Sequence, residues 1–147
     1  MKVSTKVEYG LVALIDIAAN SANGDVVTVI SISERQGISK NYLEQILTPL
    51  RQAGIINGTK GSQGGYSLTS DPKELKLSTI LNALDSNLLN VVFDGSMKCN
   101  QNSINSIKKN IWDKMDMSFN KIANETTLAD MVESYNNENL DANMFYI

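Results

Sequence analysis

The sequence predicts a mainly α fold with one small β-hairpin, a winged helix-turn-helix followed by a long C-terminal dimerisation helix. Three observations predict it. Two helical segments meet across the tight turn Gly37-Ile38-Ser39, which is a helix-turn-helix arrangement. A glycine-rich stretch, "NGTKGSQGGYSL" (57–68), follows at once and is flanked by β-prone runs, as in a hairpin. Further on, Ile104, Ile107, Ile111, Met115, Phe119 and Ile122 step by three or four residues along one helix face. These divide the chain into a winged helix-turn-helix over 1–85, a loop or linker over 86–103, and a dimerisation helix, terminal helix and tail over 104–147.

The elements follow in order. Leu11, Leu14, Ile15 and Ala18 fit the helical template of apolar residues, as do Leu43, Ile46, Leu47 and Leu50, and later Leu128, Met131, Val132 and Tyr135. "VISISERQG" (29–37) reads as a short helix ended by Gly37. Ser39 is the candidate N-cap of the next helix, and Gly54 its stop, because glycine accepts positive φ. Pro49 falls inside that helix, where a proline deletes one hydrogen bond and clashes with the preceding turn at a cost of about 3 kcal/mol. A kink or a new turn near Thr48 is the expectation, downstream of Lys40–Gln45. A short helix is expected over Ser78–Leu84, capped by Ser78. From Leu88 to Asn102 periodicity is lost. The helix that follows, opened by Asn102 or Ser103, spans about 20 residues and so roughly 30 Å, with more apolar surface than a small winged domain covers alone. Pairing with a second copy is expected.

Composition removes most enzyme chemistries. The 147 residues contain no histidine and one cysteine, Cys99. That excludes histidine acid–base catalysis, Ser–His or Cys–His nucleophiles, an intramolecular disulfide and a Cys/His zinc site. No catalytic residue, metal or cofactor is expected. The lysine in the glycine-rich run raises the question of a bound nucleotide, but Lys60 lies between Thr59 and Gly61, so the G-K-[ST] order of a P-loop fails. Glycines at 58, 61, 64 and 65 also miss the G-x-G-x-x-G spacing, and a strand-like "YSL" follows in place of a helix. No run approaches the ~18 apolar residues of a membrane span, and the first residues lack a signal-peptide pattern; a cytoplasmic protein is expected.

Net charge is −3, yet unevenly spread: residues 1–66 carry six basic against five acidic side chains, the remainder seven against eleven. The first half therefore tolerates a polyanion, since local charge decides phosphate contact. With Leu43, Ile46, Leu47 and Leu50 turned inward, Lys40, Asn41, Glu44 and Gln45 face outward at the N-terminal end of their helix, where a major-groove helix meets base edges. Asn and Gln suit adenine, Glu accepts from cytosine N4, and Lys takes phosphate or guanine. A hairpin after such a helix can act as a wing, with Lys60 as the cation entering the minor groove and Gly61, Gly64 and Gly65 letting backbone approach DNA.

"STKVEYGLVAL", "ISERQGISKNYLEQILTPLRQAGII" and "KGSQGGYSL" resemble the winged-helix family that includes the iron–sulfur cluster regulator IscR and the cysteine-metabolism repressor CymR, over about the first 85 residues. The resemblance implies a homodimeric transcription repressor on a near-palindromic double-stranded operator. It places Asn41, Tyr42 and Glu44 in the major groove and Lys60 in the minor groove, with Thr5, Lys6 and Tyr9 near the DNA backbone. Cluster-binding members carry three cysteines before the long helix; this chain has only Cys99 there. The C-terminal "NMFYI" resembles the ending of the cysteine-metabolism branch. That likeness implies that Met144, Phe145, Tyr146 and Ile147 dock in O-acetylserine thiol-lyase (cysteine synthase), which acts as co-repressor. A terminal carboxylate above an aliphatic side chain suits an amino-acid pocket. Two alternatives stand beside this: a repressor of the same family sensing redox or nitrosative stress through Cys99, and an adaptor that binds the lyase without DNA.

Overall fold

The computed structural model describes residues 3–89 and 98–144. The chain runs α1 (Thr5–Asn20), a 3-10 turn (Ala22–Gly24), α2 (Val29–Gln36), α3 (Lys40–Gln52), β1 (Ile56–Thr59), β2 (Gly65–Leu68), α4 (Leu77–Leu84), α5 (Gln101–Ile107), a π-turn (Lys108–Trp112), α6 (Asp113–Glu125) and α7 (Leu128–Met144).

Local chemistry explains the starts and stops. Ser4, Thr28 and Ser39 cap α1, α2 and α3, each side-chain oxygen accepting from the backbone N–H three residues on. Gly37 ends α2 in the left-handed region at φ 69°, a conformation that costs glycine nothing. Pro49 does not restart α3, which is continuous from Lys40 to Gln52. The proline sits in the last turns, so it sacrifices a single bond, the one Gln45 C=O would have accepted. Thr48 Oγ1 donates to Glu44 C=O at 2.7 Å in the same turn.

Two expected boundaries move. α4 begins at Leu77 with Lys76 in the cap position and no side-chain cap bond, so Ser78 lies inside the helix. Backbone pairing supplies what a cap would: Leu77 N–H donates to Thr126 C=O at 2.8 Å, and Leu128 N–H to Leu75 C=O at 2.9 Å. The long helix begins at Gln101, with Asn100 Oδ1 accepting from Asn102 N–H at 2.9 Å. Its backbone stays right-handed through Lys108 and Asp113, so α5, the π-turn and α6 form one rod of roughly 37 Å. Within it the exposed pair Lys108 Nζ–Asp113 Oδ1 (2.8 Å) spans the five-residue π step.

The core is shared by both halves of the chain. Leu43, Ile46, Leu47 and Leu50 of α3 are all buried, packed with Val7, Leu14 and Ile17 of α1, Ile80 and Leu84 of α4, Ala123 of α6 and Leu128 of α7. α1 is covered on two sides, so its apolar residues form two rows. Val7, Ala13, Leu14 and Ile17 are fully buried, whereas Leu11, Ile15 and Ala18 are partly buried, with Ile15 beside Met131 and Tyr135 of α7. Gly10 permits the close approach of α4: a Cβ there would lie 2.6 Å from Leu84 Cδ1. Thr127 and Asp130 start α7 with reciprocal bonds, Thr127 N–H to Asp130 Oδ2 (2.9 Å) and Asp130 N–H to Thr127 Oγ1 (3.2 Å).

One buried charge holds the first two helices together. Asp16 is fully buried and accepts from Arg35 Nε (3.0 Å) and Nη2 (2.7 Å) and from Gln36 Nε2 (2.9 Å). The fork of Arg35 matches the carboxylate and Gln36 takes a remaining lone pair, which is what a buried carboxylate requires. The hydrogen bond to Asp16 also raises the Arg35 pKa above its ordinary value. Nothing in the pattern of α1 announces this residue; a lone Asp on an amphipathic helix reads as surface.

Candidate nucleic-acid interface

The first turn of α3 presents Lys40, Asn41, Glu44 and Gln45 to solvent, because the four buried residues of this helix occupy the opposite side. Tyr42 is half-buried. Its ring meets Tyr9 of α1 edge-on, with centroids 5.6 Å apart and planes at 86°, a favoured aromatic geometry. That contact brings the first turn of α1, with Thr5 and Lys6 exposed, beside the first turn of α3. Residues 35 positions apart in sequence thus form one polar surface.

β1 and β2 pair antiparallel in the register Ile56↔Leu68 to Thr59↔Gly65, and the loop 60–64 connects them. A third segment anchors the pair: Val27 N–H donates to Tyr66 C=O (2.8 Å) and Tyr66 N–H to Val27 C=O (2.7 Å). The wing is therefore tied to the residues that lead into α2. At its tip Gly61 has φ 110° and accepts from Gly64 N–H at 3.0 Å. Lys60 is exposed, and no ion pair or hydrogen bond engages its side chain among the described residues. Gly64 and Gly65 have reasons internal to the wing. A Cβ on Gly64 would lie 2.1 Å from Thr59 O, and one on Gly65 2.8 Å from Val27 O. Backbone packing alone demands glycine at both.

The apolar row on the long helix lies largely open. Ile107 and Ile111 are each 44% exposed, Met115 56% and Ile122 59%. Ile104 is half-buried, and Phe119 packs against the chain's own core. Met117, 73% exposed, adds to the uncovered surface and was not part of the expected row. Met144 ends α7 and is exposed; Phe145, Tyr146 and Ile147 lie outside the described residues. Cys99 is exposed and free.

An amphipathic helix with a polar outward face and a hairpin wing anchored beside it form a winged helix-turn-helix. The family model for Rrf2, described as an iron-dependent transcriptional regulator, matches residues 3–134, and the chain belongs to this family. It is a regulator and not an enzyme. The chain is 32% identical to the transcriptional regulator CymR of Bacillus subtilis over the whole of both chains. It is 30% identical to the regulator IscR of Photobacterium profundum over 92% of this chain and 78% of that one. The solved structure of CymR, the global cysteine regulator of B. subtilis, superposes with a TM-score of 0.78 at 28% identity, covering 91% of this chain and 98% of the other.

The family's description names iron, and the residues here do not fit an iron–sulfur cluster. One cysteine and no histidine fall short of the several ligands such a cluster needs, and among the described residues no group of three or more metal-ligating side chains converges. Among the described residues no helix is long and apolar enough to cross a membrane.

Proposed function

We propose that the protein is a homodimeric DNA-binding repressor of cysteine and sulfur metabolism genes, with O-acetylserine thiol-lyase as co-repressor held by the C-terminal tail. The observation that carries this reading is the 32% identity to CymR across the full length of both chains. Supporting it, Lys40, Asn41, Tyr42, Glu44 and Gln45 form the groove-reading turn, flanked by Thr5, Lys6 and Tyr9. Lys60 is the minor-groove cation, carried on the turn built by Gly61, Gly64 and Gly65. Ile107, Ile111, Met115 and Ile122 join the two copies, so that paired reading turns meet a near-palindromic site. Phe145, Tyr146 and Ile147 bring apolar side chains, the last aliphatic, of the kind a partner's apolar pocket accepts.

The test is a titration of fluorescent DNA from upstream of cysteine genes, with and without the purified lyase. Salt-dependent binding that the lyase tightens is expected, and deletion of Ile147 is expected to abolish the tightening while leaving the dimer's own DNA contact. Lyase binding without DNA affinity would select the adaptor reading. Because Cys99 is exposed, loss of DNA affinity on thiol oxidation that Cys99→Ser prevents would select the redox reading.

A further inference from the structure

Between α3 and the wing lies an open cleft of about 220 Å³ whose lining includes Thr28, Arg51, Gly58, Lys60 and Tyr66. No carboxylate lines it. Its two cations come from different elements, Arg51 from the last turn of α3 and Lys60 from the wing, and neither has an ion-pair or hydrogen-bond partner among the described residues. Arg51 lies against β1: a Cβ on Gly58 would be 3.5 Å from Arg51 Cδ, 3.8 Å from its Nη1 and 3.3 Å from Tyr66 Cε1. Thr28 Oγ1 accepts from Ser31 N–H at 3.1 Å, which leaves its hydroxyl hydrogen free to donate.

We infer that this cleft is a phosphate clamp, in which Arg51, on the wall facing the Lys60-bearing wing, holds the one DNA backbone strand that passes between the recognition helix and the wing. The inference rests on the DNA-binding reading above and adds to it a residue outside the groove-reading turn. At 100° per residue Arg51 lies 20° from the line of Glu44 and 20° from that of Lys40. It therefore continues the same flank of α3, about 10 Å beyond Glu44 and about 16 Å beyond Lys40 along the axis. The major groove is roughly 12 Å wide, so a helix seated in it by its first turn has its last turn over the flanking backbone. The wing reaches into the adjacent minor groove. What separates the two grooves is a single sugar–phosphate strand, and the cleft lies where that strand must run. A guanidinium with no competing carboxylate suits a phosphodiester oxygen pair. Such a contact sets register and carries no base information.

The experiment compares Arg51→Met, which keeps the aliphatic stem on Gly58, with Arg51→Lys, which keeps the charge, in the full-length protein. Binding to operator and to scrambled DNA is measured across a salt series. Arg51→Met is expected to weaken both DNAs by a similar factor and flatten the log–log salt slope by about one unit, while Arg51→Lys keeps the slope. A thermal-shift titration with inorganic phosphate alone tests the competing source of the same anion. An unchanged slope in Arg51→Met, or a change confined to operator preference, overturns the clamp while leaving the DNA reading intact. Saturable stabilisation by phosphate that Arg51→Met removes, without a slope change on DNA, reassigns the cleft to a free anion and overturns it too. Absence of salt-dependent DNA binding in the wild-type protein defeats the underlying reading instead.

Discussion

α3 and the long helix α5–α6 are both amphipathic, and they differ in what their outward faces carry. α3 turns Leu43, Ile46, Leu47 and Leu50 into the core and offers Lys40, Asn41, Glu44 and Gln45 to solvent. The long helix buries only Ala123 and offers Ile107, Ile111, Met115 and Ile122. A polar face is already content in water and gains from a polar, charged partner; an apolar one gains about 25 cal/mol for each Å² removed from water. The same periodicity thus specifies two kinds of partner. The proposed reading surface lies within one chain, whereas the long helix leaves an apolar row uncovered.

The sharpest way to break that contrast is to charge the open row. Ile111→Asp with Met115→Asp buries two unpaired carboxylates in any paired state, at several kcal/mol. Sedimentation is expected to show monomers, and operator affinity to fall by about 100-fold or more, because one half-site alone remains. Retained dimers would place the partner surface elsewhere. Next in size is a change inside the reading half. Asp16→Ala removes a carboxylate held by charge-assisted bonds, worth about 2–3 kcal/mol, since Arg35, with 38% of its side chain exposed, can turn to water. Thermal melts followed by circular dichroism are expected to drop by roughly 5–10 °C, with the dimer intact at low temperature.

Smaller effects are expected at the wing. Gly64→Ala drives a methyl into Thr59 O, so the turn must open. The core does not pass through this loop, and melting is expected to move little while affinity falls for every DNA sequence, measured by anisotropy. Lys60→Ala leaves the fold untouched and is expected to flatten the log–log salt slope by about one unit. A melting change for Lys60→Ala larger than that for Gly64→Ala would mean the lysine serves the fold and not the ligand.

How far the sequence speaks for the structure depends on the range of the interaction. The α3 face, the Ser39 cap and the Gly37 stop follow from neighbours three or four residues apart, and all were legible. The start of α4 was not, because Leu77 N–H is satisfied by Thr126 C=O, a partner 49 positions away that no local cap rule can see. Asp16 was missed for the same reason: its partners Arg35 and Gln36 are on another helix. The Pro49 penalty was over-read, since near a helix end the lost bond is one of those already fraying. Gly64 and Gly65 were read for closeness to DNA, and the backbone oxygens of Thr59 and Val27 give each a nearer reason. For the proposed interface, residue types at their spacing suggested a reading turn and a wing tip, and the fold leaves Lys40, Asn41, Glu44, Gln45 and Lys60 exposed. Arg51 lies about two helical turns beyond Glu44, and only the folded hairpin reveals its setting beside Gly58.

Gly10 has a consequence for how this regulator could fail. With Leu84 Cδ1 only 2.6 Å from where a methyl would sit, α1 has no slack against α4. One added carbon would displace the buried Leu84 side chain or shift α1 away from α4, and the ring of Tyr9, one residue before Gly10, meets Tyr42. The damage would surface at the far end of the lever, as a reading head aimed off its target in a protein that still melts cooperatively.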